Sequence, residues 1–432
     1  MNLTIPRLNL LFLIAWLSLL FVAYLNSYDD PSSIFYSESR SYEQRYSKIR
    51  AHEADIFLAN PPPKPPLSSS SSSAEENKFL CIGIPSINRT TQSFLKHTIG
   101  TLVDILTPEE RGSIHLVVLL ADRPAKKHSA WGEEWLEKVV DEVLVYDDIP
   151  PPTETGREKV YKQVPFELVE GRTRGVTRVE NMRLDHSLLV ETCMRNGAEY
   201  FVLVEDDVVA GRDWMRQLKR GLGYVEGESK RKGEEWLYLR LFYSELLMGW
   251  NSEEWATYLA WSCVVYAAVL VGFLVARGRR WCCFGKLGRG GGGGNAHLYR
   301  YATAMGFGLW LPALIALYFL SGRVSTSRVN PFMWTSHGVR EMMNYGCCAQ
   351  GLLFPRRQLE GVFKLMRYPP YRFPGDMILE GYAGDHGLKK WALDPSVFQH
   401  VGFTESSAGP RRAEVWNFSF ERMHPKGWLW GS

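Results

Sequence analysis

Glu205, Asp206 and Asp207 are three consecutive carboxylates closing the apolar run Tyr200-Phe201-Val202-Leu203-Val204. Two aromatic and two β-branched residues in five read as a buried strand. A strand interior has no use for such charge, because burying it unpaired is expensive. At a strand end facing a cleft, the same oxygens can hold a divalent cation. Asp207 is the expected direct ligand, with Glu205 bonding the ion's waters or a ribose. A neutral imidazole is a suitable further ligand, for Mn²⁺ more than for Mg²⁺. His400, in Phe398-Gln399-His400-Val401-Gly402, is the candidate. The competing readings are an acidic strand exit capping a helix that starts near Asp213, and a structural histidine.

A cation so held neutralises phosphate oxygens as a Lewis acid. Arg178, Asn181 and Asp185 open the helix before the acidic strand. A cationic group and an amide there can hold a diphosphate and uridine, or equally form a solvated helix start. An acceptor hydroxyl needs a general base from late in the chain. Asp385, in the glycine-punctuated Gly384-Asp385-His386-Gly387, is the first choice, and Asp376, after Pro374-Gly375, the second. For both, a turn aspartate bonded to its own backbone is the alternative.

These residues need a scaffold. Phe79 to Ile84, Ile114 to Leu120, Val143 to Tyr146 and Tyr200 to Val204 read as buried strands, and Trp236 to Phe242 is strand-like. Helical patterns run over Phe94 to Leu106 and Leu184 to Met194. Strands alternating with helices predict an α/β fold with a mostly parallel sheet covered on both faces. Ligands of such sheets bind beyond the carboxyl ends of the strands. Pro85 and Arg89 at the first strand's exit, Asp122 at the second's and the acidic triplet all fall there.

Leu8 to Leu25 is an uncharged run of 18 residues, long enough to span a bilayer, and no small-x-small cleavage site follows it. Residues 255–276 and 301–320 are two further expected spans. Between them, Arg277, Arg279, Arg280, Lys286, Arg289 and Arg300 face no acidic residue. The positive-inside rule puts this Gly-rich connector, residues 277–300, in the cytosol, together with residues 1–7. Residues 26–254 and 321–432 then share the lumenal side. Residues 26–77, with a Pro-rich stretch and six serines from Ser68 to Ser73, read as a stalk; 78–254 and 321–432 read as the two parts of one domain. Cys81, Cys193, Cys347 and Cys348 face an oxidising lumen, where three pairings are open. Of the two sequons expected on the lumenal side, Asn417-Phe418-Ser419 is open to glycosylation, whereas Asn88-Arg89-Thr90 borders the cleft and is expected to stay bare. A net charge of +3 gives no reason to expect a nucleic-acid partner.

Arg178-x-x-Asn181-x-x-Leu184-Asp185, the acidic strand, Phe94-Leu95-x-x-Thr98-Ile99-Gly100-x-Leu102, Leu106-Thr107-Pro108-Glu109-Glu110 and the His400 segment together resemble the N-acetylglucosaminyltransferase IV family. With the anchor and the tandem spans added, residues 79–432 more closely resemble the GPI-glycan N-acetylgalactosaminyltransferase family (post-GPI-attachment to proteins factor four). The resemblance implies a GT-A glycosyltransferase domain split by a transmembrane hairpin, in a multi-pass Golgi membrane enzyme. It implies inverting, metal-dependent transfer of N-acetylgalactosamine from a UDP-sugar to the mannose core of GPI anchors, with GPI-anchored proteins or GPI lipid as acceptor. N-glycan branching is the alternative activity, and a non-catalytic scaffold or lectin-like protein a third reading.

Overall fold

The structure, a computed structural model, describes residues 4–64, 78–89, 93–146, 160–165, 177–284, 293–328, 338–342, 346, 349–402, 405–406, 409–410 and 415–423. The serine run, the Cys347-Cys348 pair and residues 285–292 of the basic connector lie outside them. The chain forms two units, Met1–Tyr42 with Met248–Trp334, and Glu43–Leu247 with Thr335–Ser432.

The first unit holds three helices long and apolar enough to cross a membrane, Ile5–Asn26, Trp255–Arg277 and His297–Leu320. Their side chains are largely apolar, as lipid contact requires. Some of their polar groups pair between helices. Asn9 Nδ2 donates to Tyr301 Oη (2.7 Å), Trp16 Nε1 to the Ala313 carbonyl (3.1 Å) and Tyr266 Oη to the Phe307 carbonyl (2.9 Å). Phe12 stacks on Trp310 at 4.8 Å.

The second unit is built on a nine-stranded sheet. In chain order its strands are β1 Leu80–Ser86, β2 Ile114–Leu120, β3 Glu142–Tyr146, β4 Tyr161–Val164, β5 Tyr200–Leu203, β7 Trp236–Arg240, β8 Val339–Glu341, β9 Leu352–Pro355 and β10 Lys389–Leu393. A separate two-stranded ribbon joins β6 Val208–Ala210 to β11 Phe398–His400. The sheet order is β4-β3-β2-β1-β5-β9-β7-β10-β8. The first five strands in that order are mutually parallel, and β7 and β10 are parallel to each other. Only β9 and β8 are reversed. The carboxyl ends of β1, β2, β3 and β5 therefore share one edge. The start of β9 lies there too, because Leu352 pairs with Leu203, the last residue of β5.

Helices α1 Tyr46–Ala59, α2 Leu95–Val103, α3 Thr177–Asn196, α4 Trp214–Lys232, α5 Leu359–Arg367 and α6 Gly375–Asp385 flank the sheet and ribbon. Cys81 on β1 is bonded to Cys193 on α3, which chooses one of the three open pairings.

Helix α1 corrects the expected stalk. Residues 46–59 belong to the folded unit, which thus begins well before Lys78. Tyr46, Arg50, Ala54 and Leu58, at four-residue spacing, form its buried stripe. Ala54 rests on Gly100 of α2, where any Cβ would stand 2.6 Å from the alanine methyl. Arg50 is fully enclosed. It donates to Ala210 O (2.9 Å), Thr101 O (3.1 Å) and both oxygens of Asp104 (2.6 and 2.7 Å). Arg50→Ala leaves Asp104 buried without its cation and is expected to cost about 3–5 kcal/mol of unfolding free energy. Chemical denaturation of the two proteins measures this difference.

The structure also revises one sequon. Asn417 is fully buried: its side-chain oxygen accepts the Glu245 N–H (3.2 Å) and its Nδ2 donates to the Phe398 carbonyl (3.4 Å). An amide so placed cannot carry a glycan in the folded protein.

Candidate active site

The acidic triplet leaves the carboxyl end of β5, and three contacts hold its backbone. Thr98 Oγ1 donates to the Asp206 carbonyl (2.7 Å) and accepts the Val208 N–H (3.1 Å), and Val401 N–H reaches the Asp207 carbonyl (2.9 Å). Asp206 and Asp207 sit in the turn between β5 and β6, and both carboxylates accept from one Arg89 nitrogen.

The β6–β11 ribbon brings in the remote histidine. Val208 pairs with His400, so a residue 193 positions later lands beside Asp207. His400 Nδ1 donates to the Val415 carbonyl (3.2 Å), and Nε2 lies 3.2 Å from Asp207 Oδ2. A carbonyl only accepts, so this bond puts the Nδ1 proton in place and turns Nε2 toward the carboxylates. Gly402 closes the corner. A Cβ there would collide with the Asp207 carboxylate.

Glu205, Asp207 and His400 each present a donor atom within 4.8 Å of the others. Gln350, just before β9, donates Nε2 to Glu205 Oε2 (3.0 Å). Asp207 Oδ1 is buried and has no hydrogen-bond partner among the described residues. Two carboxylates, one oriented imidazole and an unsatisfied buried oxygen form a donor set that fits a divalent cation.

Burial and mutual charge shift each group from its ordinary value. Burial and the neighbouring Asp207 push Glu205 up to about 8. Burial also raises Asp207, but His400 and Arg89 outweigh it and hold the carboxylate at about 2. Burial lowers His400, while Asp207 more than compensates, leaving the imidazole above its ordinary value.

Asp206 requires a correction, because the structure takes it out of the ligand group. Its Oδ2 accepts from Ser86 Oγ (2.6 Å) and its Oδ1 from Arg89 (2.6 Å). Arg89 also reaches Asp207 Oδ2 (2.9 Å), and Ser86 Oγ lies 3.0 Å from His128 Nε2. Asp206 thus orients Arg89 beside the cluster. Of the residues leaving β1, Ser86 makes the contact, whereas Pro85 stays in the strand, in register with Leu119. Asp122 Oδ2 accepts the Asn88 N–H (2.6 Å), tying together the exits of β1 and β2.

The remaining candidates divide. On α3, Arg178 is exposed, Asn181 is half-buried, and Asp185 accepts a hydrogen bond from Tyr146 at the end of β3. Burial pushes Asp185 up to about 7. Asp385 was expected in a loop reaching the cleft. It ends helix α6 instead, and is exposed. Asp376, in the first turn of the same helix, adds its charge to those raising Glu205. Nine residues of helix separate the two aspartates by about 14 Å along the axis. His186 of α3 lies against Gly375, and burial lowers it to about 4, with Asp376 opposing. The imidazole next to Asp376 is therefore neutral at physiological pH.

The comparisons with known proteins fit this architecture. The model of one protein family, described as "GPI-N-acetylgalactosamine transferase PGAP4", matches residues 80–399, most of the chain. The chain belongs to that family. It is a glycosyltransferase.

More distant similarity links it to enzymes named as mannosyl-glycoprotein N-acetylglucosaminyltransferases. Over 160 residues it is 25% identical to mouse (Mus musculus) alpha-1,3-mannosyl-glycoprotein 4-beta-N-acetylglucosaminyltransferase C, covering 35% of this chain and 32% of that one. The human (Homo sapiens) enzyme B is 27% identical over 150 residues, covering 32% of this chain and 25% of that one. Enzyme A of Xenopus tropicalis is 25% identical over 140 residues, with the same coverage. The matches thus span about a third or less of these relatives' own length.

Proposed function

We propose that this chain is a metal-dependent, inverting transferase of GT-A type that moves N-acetylgalactosamine from its UDP donor onto the mannose core of GPI anchors. The observation that carries this reading is the Glu205–Asp207–His400 cluster at the carboxyl edge of the sheet, in a chain of the GPI family. Glu205, Asp207 and His400 hold the cation, Mn²⁺ by preference for a mixed oxygen and imidazole set. The bound ion supplies Lewis acidity toward the diphosphate of the donor. Arg89, held by Asp206, offers the phosphates a second positive group. Asp122, Asp185, Arg178 and Asn181, beyond the strand ends or on the helix beside them, line the donor side. Asp376 takes the proton from the acceptor hydroxyl, and we assign that role to it in place of Asp385.

The apolar spans anchor the enzyme in the Golgi membrane, with three crossings and the Arg-rich connector in the cytosol. The Cys81–Cys193 disulfide supports a lumenal second unit, because such bonds persist in oxidising compartments. Mass spectrometry of GPI glycans from cells with and without the gene tests the assignment. Loss of one N-acetylhexosamine branch is the expected result. Unchanged GPI with altered N-glycan branching would instead favour the activity named for the distant relatives.

A further inference from the structure

Beside Asp376 lies a surface that donor binding does not use. Tyr368, Phe373 and Met377 are each more than half exposed, in a unit whose other large apolar side chains are mostly interior. Tyr368 follows α5, Phe373 comes three residues before Asp376, and Met377 directly follows it. Tyr368 and Phe373 border a groove of about 610 Å³, and Phe373 and Met377 a second hollow of about 450 Å³ that Asp385 also lines.

The ledge is built rather than loose. Arg183 of α3 is buried and donates to the carbonyls of Leu365, Tyr368 (3.1 Å) and Pro370 (2.8 Å). Its guanidinium also lies 4.7 Å from the centre of the Tyr371 ring. One turn further along α3, His186 supports Gly375. A single helix thus fixes both the ledge and the start of the helix carrying Asp376. Ordering exposed aromatic rings in this way has no evident benefit for folding, and suits a ligand that stacks on them.

The charge of the larger groove narrows that ligand. Arg183, Lys364 and Arg372 line it, and among the described residues no carboxylate does. Arg183 is engaged with carbonyls and Lys364 with Glu360 (2.6 Å). Arg372 is exposed and makes no ion pair among the described residues. Sugar rings pack on aromatic faces, and a guanidinium binds phosphate bidentately.

We infer that the Tyr368–Phe373 ledge with Arg372 is the acceptor subsite, and that it takes a glycan bearing a phosphodiester, as a glycosylphosphatidylinositol does. This rests on the GPI-transfer reading above, and it makes Arg372 a residue that separates such acceptors from neutral glycans.

Kinetics with the full-length enzyme in detergent test it. The acceptors are a GPI headgroup released from its lipid and the same headgroup stripped of phosphate. Tyr368→Ala and Phe373→Ala are each expected to raise the headgroup KM about tenfold, the scale of a lost stacking contact. Hydrolysis of the UDP-sugar without acceptor should stay at the wild-type rate, which shows that fold and donor site survive. Arg372→Ala should abolish the wild-type preference for the phosphorylated headgroup and leave the KM for the stripped one unchanged. Unaltered headgroup KM values in all three variants would overturn the inference. So would a defect confined to acceptors embedded in vesicles, which would make the ledge a membrane contact. If the wild type hydrolyses the UDP-sugar but transfers to neither headgroup, the GPI reading itself is wrong.

Discussion

Asp207→Asn is expected to reduce transfer about 10³-fold or more while leaving the protein folded. The magnitude follows from losing several kcal/mol of stabilisation of the leaving diphosphate. Asparagine has the same shape, so it spares the corner that Gly402 forms, but it removes the charge that holds His400 and shares Arg89 with Asp206. Arg89 keeps its bond to Asp206, so the substitution leaves no buried cation unpaired. The measurement that isolates the metal role is thermal. A cation that binds only the folded state raises the melting temperature with its concentration. Mn²⁺ should stabilise the wild type and leave the Asp207→Asn protein where it was. A variant that keeps both transfer and the Mn²⁺ shift would remove Asp207 from the ligand set.

The scaffold of this site was largely legible in the chain. Buried strands such as Ile114–Leu120 announce themselves as nearly continuous apolar runs bounded by turn residues, and parallel order follows from the helices between them. The convergence of strand ends is then a property of topology, which explains why Asp122 and the triplet could be placed on one edge. The apolar spans were equally visible, because lipid imposes length and composition together. Helix α1 was hidden for the opposite reason. Its buried stripe includes Arg50, which reads as solvated until Asp104 and two backbone carbonyls surround it.

Side-chain direction and long-range pairing account for the other differences. Three adjacent carboxylates look equivalent in the sequence, yet in the turn after β5 Asp206 is taken up by Ser86 and Arg89 while Glu205 and Asp207 group with His400. Ser86, His128 and Gln350 carry no motif, and Thr98 lies in one without pointing to this contact. They matter because the first strand, the helix after it, the loop beyond β2 and the reversed strand β9 all end around the same triplet. Only β9 could have been anticipated to bring Gln350 there, and only if its antiparallel direction had been known. His400 on its own reads as a structural histidine and stands out through the family resemblance of its segment, while its partner strand Val208–Ala210 is too short to recognise.

Asp376→Asn should abolish transfer without touching the metal. A general base contributes about 10²–10⁴-fold, so kcat should fall within that range. Asparagine retains the size of the side chain at the start of α6, and so preserves the contact between Gly375 and His186. UDP binding in the presence of Mn²⁺ should stay at the wild-type level, because Glu205, Asp207 and His400 are unaltered. Asp385→Asn provides the comparison. It lies at the exposed far end of the same helix, and its activity should remain within about twofold, as for a surface substitution. The two aspartates share one helix, both stand beside glycines, and each resembles a turn residue in the sequence. What separates them is about 14 Å of helix, set by a rise of 1.5 Å per residue. If Asp385→Asn proved the inactive variant and Asp376→Asn the active one, the acceptor would have to approach from the opposite end of α6, and the base assignment would reverse.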